Sequence, residues 1–268
     1  MERVVLITGA SSGIGEACAR HLAKRGYLVY GTSRHPSGEE GLFRMIRMDV
    51  DDDRSVASGI AQVLQDAGRL DVIVNNAGFG FAGAIEDTSI EEVRALFETN
   101  LFGLLRVCWT VLPRMREQGS GTIVNISSLA GRIGLPYQGL YSATKYAVEG
   151  LTEALRMEVR PFGINVVLIE PGDFCTGFTS NRRYTTASKE NPAYRERFQR
   201  AIKVAESDEM KGSSPERIAR VLDRILRERS PKVRYSVGAP SQRMAVVLKK
   251  ALPGKLFEWV LMKYYKVR

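Results

Sequence analysis

Short apolar runs that alternate with segments of helical period predict an α/β chain built on a parallel, doubly wound sheet, with a helical extension at the C-terminus. Two observations carry this expectation. The runs are rich in β-branched residues and lack polar alternation, as strands buried on both faces require. The first of them meets a glycine-rich turn that opens directly into a helical pattern. Composition agrees: 268 residues, 44% hydrophobic and 26% charged, supply a sizeable core. No linker and no internal repeat divides the chain, so one domain over 1–240 and an extension over 241–268 are expected.

In order, residues 4–8 form the first strand. The turn Thr8-Gly9-Ala10-Ser11-Ser12-Gly13-Ile14-Gly15 follows, then a helix to about Lys24. Strand, glycine turn and helix start together make an anion site: glycine lets backbone approach a pyrophosphate, and free N–H groups at the helix start attract negative charge. Residues 27–32 form the second strand. Its end is where a dinucleotide fold holds the adenosine ribose, and there this sequence places Ser33-Arg34 and no acid. A guanidinium forks onto phosphate oxygens that a carboxylate would repel, so NADP(H) is expected over NAD.

Further strands are expected at 43–48, 70–74, 122–126, 164–169 and 233–237. Helical periodicity occupies 51–66, 90–115, 140–159 and a stretch starting at Ser213-Ser214-Pro215, where a serine cap precedes proline in the first turn. Asn100 falls inside the long helix, and a buried mid-helix asparagine calls for an assigned partner. The polar stretch 173–212 shows no clear strand and is expected to be a lid of short helices or disordered.

Three cysteines (Cys18, Cys108 and Cys175) have no paired spacing, which suggests a reducing compartment; Cys175 is expected as a small packed residue. The two histidines leave no metal cluster, and His35 is expected in an exposed loop. No export signal and no membrane-spanning apolar stretch is read, so a cytoplasmic location is expected.

Tyr141 and Lys145 stand four residues apart on one helical face. A neighbouring ammonium would lower the tyrosine pKa towards the range of a general acid/base. On spacing alone an ordinary surface pair is the better account.

The context changes that. The glycine motif, Asn75-Asn76-Ala77-Gly78, Asn100, Ser128 thirteen residues before Tyr141, Lys145 and Pro171-Gly172 occur together in an order and spacing that resemble the short-chain dehydrogenase/reductase family over about residues 1–240. The resemblance implies a Rossmann-type fold and hydride exchange between a nicotinamide and a carbonyl or secondary alcohol. Tyr141 would move the proton, Lys145 would tune it and hold the nicotinamide ribose, Ser128 would hydrogen-bond the substrate oxygen, and Asn100 would hold a relay water. Gly9, Ser11, Ser12, Gly13, Ile14 and Gly15 would wrap the phosphates. Arg34 with Ser33 would hold the 2′-phosphate, and Asp49 and Val50 would bracket the adenine. Asn76, Ala77 and Gly78 would line the adenosine-side cleft, with Pro171, Gly172, Phe174 and Thr176 at the nicotinamide end. A homodimer or homotetramer is also implied.

The tail departs from a minimal member. Nine Lys/Arg against one acid give residues 231–268 a net +8 out of the chain's +9, so no nucleic-acid partner is expected for the fold as a whole. Met244, Val247, Leu248 and Ala251 suggest one helix, stopped by Pro253-Gly254. Leu256, Phe257, Val260, Leu261, Tyr264 and Tyr265 suggest another, with Lys255, Lys263 and Lys266 towards its polar side. Such a helix can lie in an anionic membrane interface, or it can pack over the substrate cleft or a subunit partner. Members with such tails often take lipophilic alcohols or ketones, which supports such a substrate by analogy. The alternatives are a 3-oxoacyl thioester reductase, a non-catalytic NADP-sensing regulator, and a membrane-surface module.

Overall fold

The computed structural model describes residues 2–36 and 41–268. Seven parallel strands form the central sheet: β1 (Val4–Ile7), β2 (Leu28–Ser33), β3 (Arg44–Arg47), β4 (Val72–Asn75), β6 (Gly121–Ile126), β7 (Ile164–Pro171) and β9 (Arg234–Val237). Their spatial order is β3-β2-β1-β4-β6-β7-β9, so the winding reverses between β1 and β4. That reversal opens a crevice outside the carboxyl ends of the strands, where ligands bind in open α/β sheets. A separate parallel pair, β5 (Phe81–Ala82) with β8 (Arg183–Tyr184), lies beside it.

Period-two alternation sends successive residues to opposite layers. Leu6, Tyr30 and Ile73 face one layer, packing on Val56 and Ile60 of α2 (Asp53–Ala67), Val107 and Val111 of α4 (Gly103–Gln118), and Val148 of α5 (Gly139–Val159). Val5, Ile7 and Val74 face the other, against Cys18 and Leu22 of α1 (Gly13–Lys24) and Ile218, Leu222 and Ile225 of α7 (Glu216–Arg227). Local chemistry sets the ends. Asp52 accepts from the Ser55 N–H to start α2, and Gly68 closes it at φ 72°. Ser89 and Glu92 form a reciprocal capping box on α3 (Ile90–Phe97).

The long helical run is three pieces. A π-helical turn, Glu98–Phe102, separates α3 from α4 and carries Asn100. The run Ile90–Gln118 is long and apolar enough to cross a membrane by length and composition alone. One stripe of it, including Leu96, Leu104 and Met115, is instead buried in the core. The serine cap expected for α7 is also corrected: Pro215 occupies the N-cap position, and no side chain caps the helix.

The stretch 173–212 is an ordered cap. Its main element is α6 (Arg195–Met210), whose Phe198, Ala201, Ile202 and Ala205 are buried. Phe198 meets Tyr137 edge-on at 5.6 Å. Ser188 accepts from the Ala84 N–H at 2.8 Å, and the Asn191 amide donates to Asp87 at 2.6 Å. The tail forms α8 (Pro240–Ala251) and α9 (Gly254–Tyr264), which lie on the cap side of the sheet's carboxyl edge. Lys249 donates to the Arg132 carbonyl at 2.6 Å, and the Tyr264 hydroxyl donates to Asp208 of α6 at 2.6 Å. Phe257 is buried, while Trp259 and Val260 on the outward face are exposed.

Candidate active site

The loop after β1 is shaped by two left-handed glycines, Gly9 at φ +65° and Gly13 at φ +59°. L side chains rarely adopt that region, so these positions let the backbone turn into the start of α1. Asn76 clasps the loop from β4: its amide donates to the carbonyls of Thr8 at 2.9 Å and Gly9 at 3.0 Å. Thr8 answers, its hydroxyl accepting from the N–H groups of Asn76 and Ala77 at 3.0 and 2.9 Å. Asn75 reaches sideways to Asn125, which donates to Thr152 of α5, so the ends of β4 and β6 are tied to the helix carrying Tyr141.

This frame encloses a cavity of about 590 Å³. Gly9, Ser11, Ser12, Gly13 and Ile14 line one end, with Ser33, Arg34, Asp49, Val50, Asn76, Ala77 and Gly78 along that side. Ser128, Tyr141, Lys145, Pro171, Gly172 and Phe174 line the other, and Thr176 crosses the cleft to stand against Gly13. The glycine loop at the start of α1 fits a dinucleotide pyrophosphate, and Arg34 is exposed just beyond the end of β2.

Two expected residues stand behind the wall. A Cβ at Gly15 would lie 2.3 Å from the Gly9 carbonyl oxygen, so this glycine permits close packing of helix and loop and does not face the cleft. Asn100 is buried; its carbonyl accepts from Phe79 N at 3.0 Å and its amide donates to Phe79 O at 3.1 Å, which fixes the loop after the Asn75-Asn76-Ala77-Gly78 run. Cys175 is exposed, where packing was expected, because it follows buried Phe174 in a loop over the cavity.

At the far end, Tyr141 and Lys145 are 8% and 7% exposed. The Lys145 ammonium donates to the Ile126 carbonyl at 3.0 Å and lies 5.8 Å from the Tyr141 ring centroid. The Ser128 hydroxyl accepts from the Ala130 N–H at 3.1 Å and stands close enough to Tyr141 to act on its phenol. Burial pushes the Tyr141 phenol above its ordinary range, with Ser128 pulling the other way. The sequence expectation of a lowered pKa is therefore reversed here: desolvation is the largest cause, Glu209 and Asp173 add to it, and Ser128 and Arg182 oppose it. Burial brings Lys145 down to about 8, opposed by the Glu149 carboxylate.

Several lining residues escaped sequence reading. Asp51 accepts from Thr99 at 2.8 Å beside the adenosine end, and burial raises its pKa. Asp173, Asp208 and Glu209 line the Tyr141 end, and burial with these like charges raises Asp173 to about 7. Phe178 meets the Tyr141 ring at 5.7 Å, and Tyr265 reaches in from the tail. The spacing of Phe198, Ala201, Ile202 and Ala205 could have revealed α6, and with it Asp208 and Glu209. Nothing local marks Tyr265 as a cavity residue.

A family model described as short chain dehydrogenase matches residues 3–187. The chain belongs to the short-chain dehydrogenase family. A 3-ketodihydrosphingosine reductase of Bacteroides thetaiotaomicron is 43% identical over 266 residues, spanning 99% of each chain. A short-chain dehydrogenase from Streptomyces avermitilis, 36% identical, has a similar crystal structure (TM-score 0.84, covering 98% of this chain and 97% of that one). An alcohol dehydrogenase from Thermococcus sibiricus complexed with 5-hydroxy-NADP is 26% identical, with TM-score 0.73 over 90% of this chain and 97% of that one. As a short-chain dehydrogenase this protein is an oxidoreductase acting on carbonyls or alcohols.

Proposed function

We propose that the protein is an NADPH-dependent reductase of lipophilic ketones or aldehydes, reversible with the matching alcohols. The carrying observation is the grouping of Ser128, Tyr141 and Lys145 in the same cavity as the glycine cradle. Bound in that cradle, the reduced cofactor would supply a hydride to the carbonyl carbon. The Tyr141 phenol then gives its proton to the developing alkoxide, a far stronger base, so a pKa held high by burial keeps the donor loaded at neutral pH. Ser128 hydrogen-bonds the same oxygen where charge builds. Lys145 places a cationic head near the phenol and would hold the nicotinamide ribose. Asn100 supports this wall through Phe79 and, as the resemblance implies, a proton relay from Lys145.

Arg34 supports NADP(H): a guanidinium at the end of β2 complements a 2′-phosphate. Phe178 and Tyr265 beside Tyr141, together with the printed activity of the Bacteroides relative, support a lipophilic ketone. Exposed Leu256, Trp259 and Val260, among Lys255 and Lys263, support peripheral association with an anionic membrane. Exposed Phe102, Trp109 and Met157 support a homo-oligomer.

The test is NADPH oxidation across ketones, aldehydes and 3-oxoacyl thioesters graded by hydrophobicity. Turnover rising with hydrophobicity of free ketones supports the reading. Turnover of thioesters alone would replace it with the acyl-reductase alternative. No turnover of any carbonyl or alcohol, with binding of NADPH retained, would leave a cofactor-binding regulator.

A further inference from the structure

Beside the active-site cavity the tail roofs a second opening of about 510 Å³. Its walls are apolar for most of their length: Leu135 and Pro136 on one side, and Phe257, Leu261, Met262 and Val267 of the tail on the other. Lys249 and Glu258 stand among its lining as the charged groups. Leu135 lines both this groove and the active-site cavity. The tail joins them a second time, because Leu261 faces the groove and Tyr265, one helical turn later, faces the cavity. The Leu135 segment is pinned at the head of α5, where the Leu135 N–H donates to Ser142 at 3.2 Å and its carbonyl accepts from Gln138 N at 3.1 Å. The junction between the two spaces therefore sits on the helix that bears Tyr141.

We propose that this groove holds the aliphatic chain of the substrate, its carbonyl lying at Tyr141 and its chain running past Leu135 beneath α9. The inference rests on the reductase reading above and assigns where a lipophilic substrate gets its binding energy. The shared wall selects the occupant: Leu135 borders both spaces, so a chain attached to a carbonyl at Tyr141 would have only this side chain to pass to enter the groove. Its size and apolar lining match an aliphatic ligand, and its polar rim lets the far end of the chain meet water. The tail is then a wall of the substrate site, and chain-length preference depends on residues more than 90 positions from Ser128.

The experiment is a chain-length series of methyl ketones, butanone to dodecanone, with the full-length protein and NADPH. Each methylene that enters the groove raises kcat/KM by about two- to fourfold until the groove is filled. Gly134→Phe is designed to plug the groove: Gly134 lines it, and a Cβ there meets no atom within 4 Å, so the backbone accepts a side chain without a clash. Val267→Glu, near the chain end, places a carboxylate in the same space and serves as the second variant. In each the series flattens for the longer ketones, while butanone, too short to reach the groove, is the internal reference. An unchanged slope in both variants overturns the proposal.

A second readout separates this inference from the reductase reading. Calorimetric binding of decanol and butanol needs no turnover. Tighter decanol binding that both variants abolish supports the groove even if no ketone is reduced, and the reductase reading then falls alone. Decanol binding equal in the parent and both variants overturns the groove even if ketones are reduced.

Discussion

The carboxamide of Gln242 grips Asp173 at two points, its oxygen accepting from the Asp173 N–H at 3.2 Å and its nitrogen donating to the Asp173 carboxylate. This contact fixes the first tail helix to the loop after β7. It also uses the absence of side chains: a Cβ at Gly172 would lie 2.2 Å from the Gln242 oxygen, and one at Gly238 would lie 2.9 Å away. The tail is thus joined to the wall of the active site, and Asp173 is the joint.

That joint makes stability depend on pH. Burial, then Glu209 and Asp208, raises Asp173 from its ordinary 3.8 to about 7, while Arg182 and Gln242 pull it down. The folded state therefore holds this proton more tightly than the unfolded chain does. Its contribution is complete below about pH 4 and is lost as pH rises through about 7. Asp173→Asn cannot ionise, so its Tm should gain on the parent between pH 5 and pH 8. Thermal melts at the two pH values check this, and a constant Tm difference would remove Asp173 as the source.

Tyr141→Phe keeps the ring packed on Phe178 and removes the transferable proton. Turnover should fall by roughly 100- to 10,000-fold while the dissociation constant for NADPH stays within a few-fold. Lys145→Met should lose activity and weaken the cofactor together, since the ammonium is placed to serve both. Fluorescence titration of NADPH alongside kcat separates the two patterns. A Tyr141→Phe enzyme with parental turnover would break the proton path proposed here.

Arg34→Asp should shift cofactor choice. The change removes a charge-assisted contact to a 2′-phosphate and substitutes a repulsive carboxylate, which lowers the NADPH-to-NADH ratio of kcat/KM by roughly 10- to 100-fold. An unchanged ratio would place phosphate recognition elsewhere.

The outward face of the tail should bring the protein to anionic vesicles at low salt. Lys255 and Lys263 flank exposed Leu256, Trp259 and Val260, and near an anionic surface each basic side chain contributes on the order of 1 kcal/mol. Binding should fall as salt screens the charges, and a Trp259→Ala, Val260→Ser protein should sediment less. Full-length protein that stays in the supernatant with anionic lipid at low salt would end the membrane reading.

The sheet and its glycine loop were legible in the sequence because their signals are local. An unbroken β-branched run reads as a buried strand, and Gly9 and Gly13 are placed by the strand end they follow. All seven expected strands fall within two residues of β1, β2, β3, β4, β6, β7 and β9. The family, too, was legible, since Ser128, Tyr141 and Lys145 keep a spacing imposed by one strand and one helix.

Tertiary structure decided whatever depends on burial or on partners distant in the chain. The direction of the Tyr141 pKa shift differs from the sequence expectation because spacing shows the ammonium but not the desolvation, which is the largest cause. Gly15 looked like a cleft residue until the Gly9 carbonyl was found 2.3 Å from where its Cβ would be. Asp173, Asp208 and Tyr265 come from a loop, a helix and the tail, and only folding brings them to one cavity. In the tail, Phe257 is buried and Gln242 and Tyr264 hydrogen-bond Asp173 and Asp208, while Trp259 and Val260 remain exposed. Periodicity gives the angular position of a side chain around its helix, whereas what that side meets depends on residues more than 100 positions away, which no local pattern encodes.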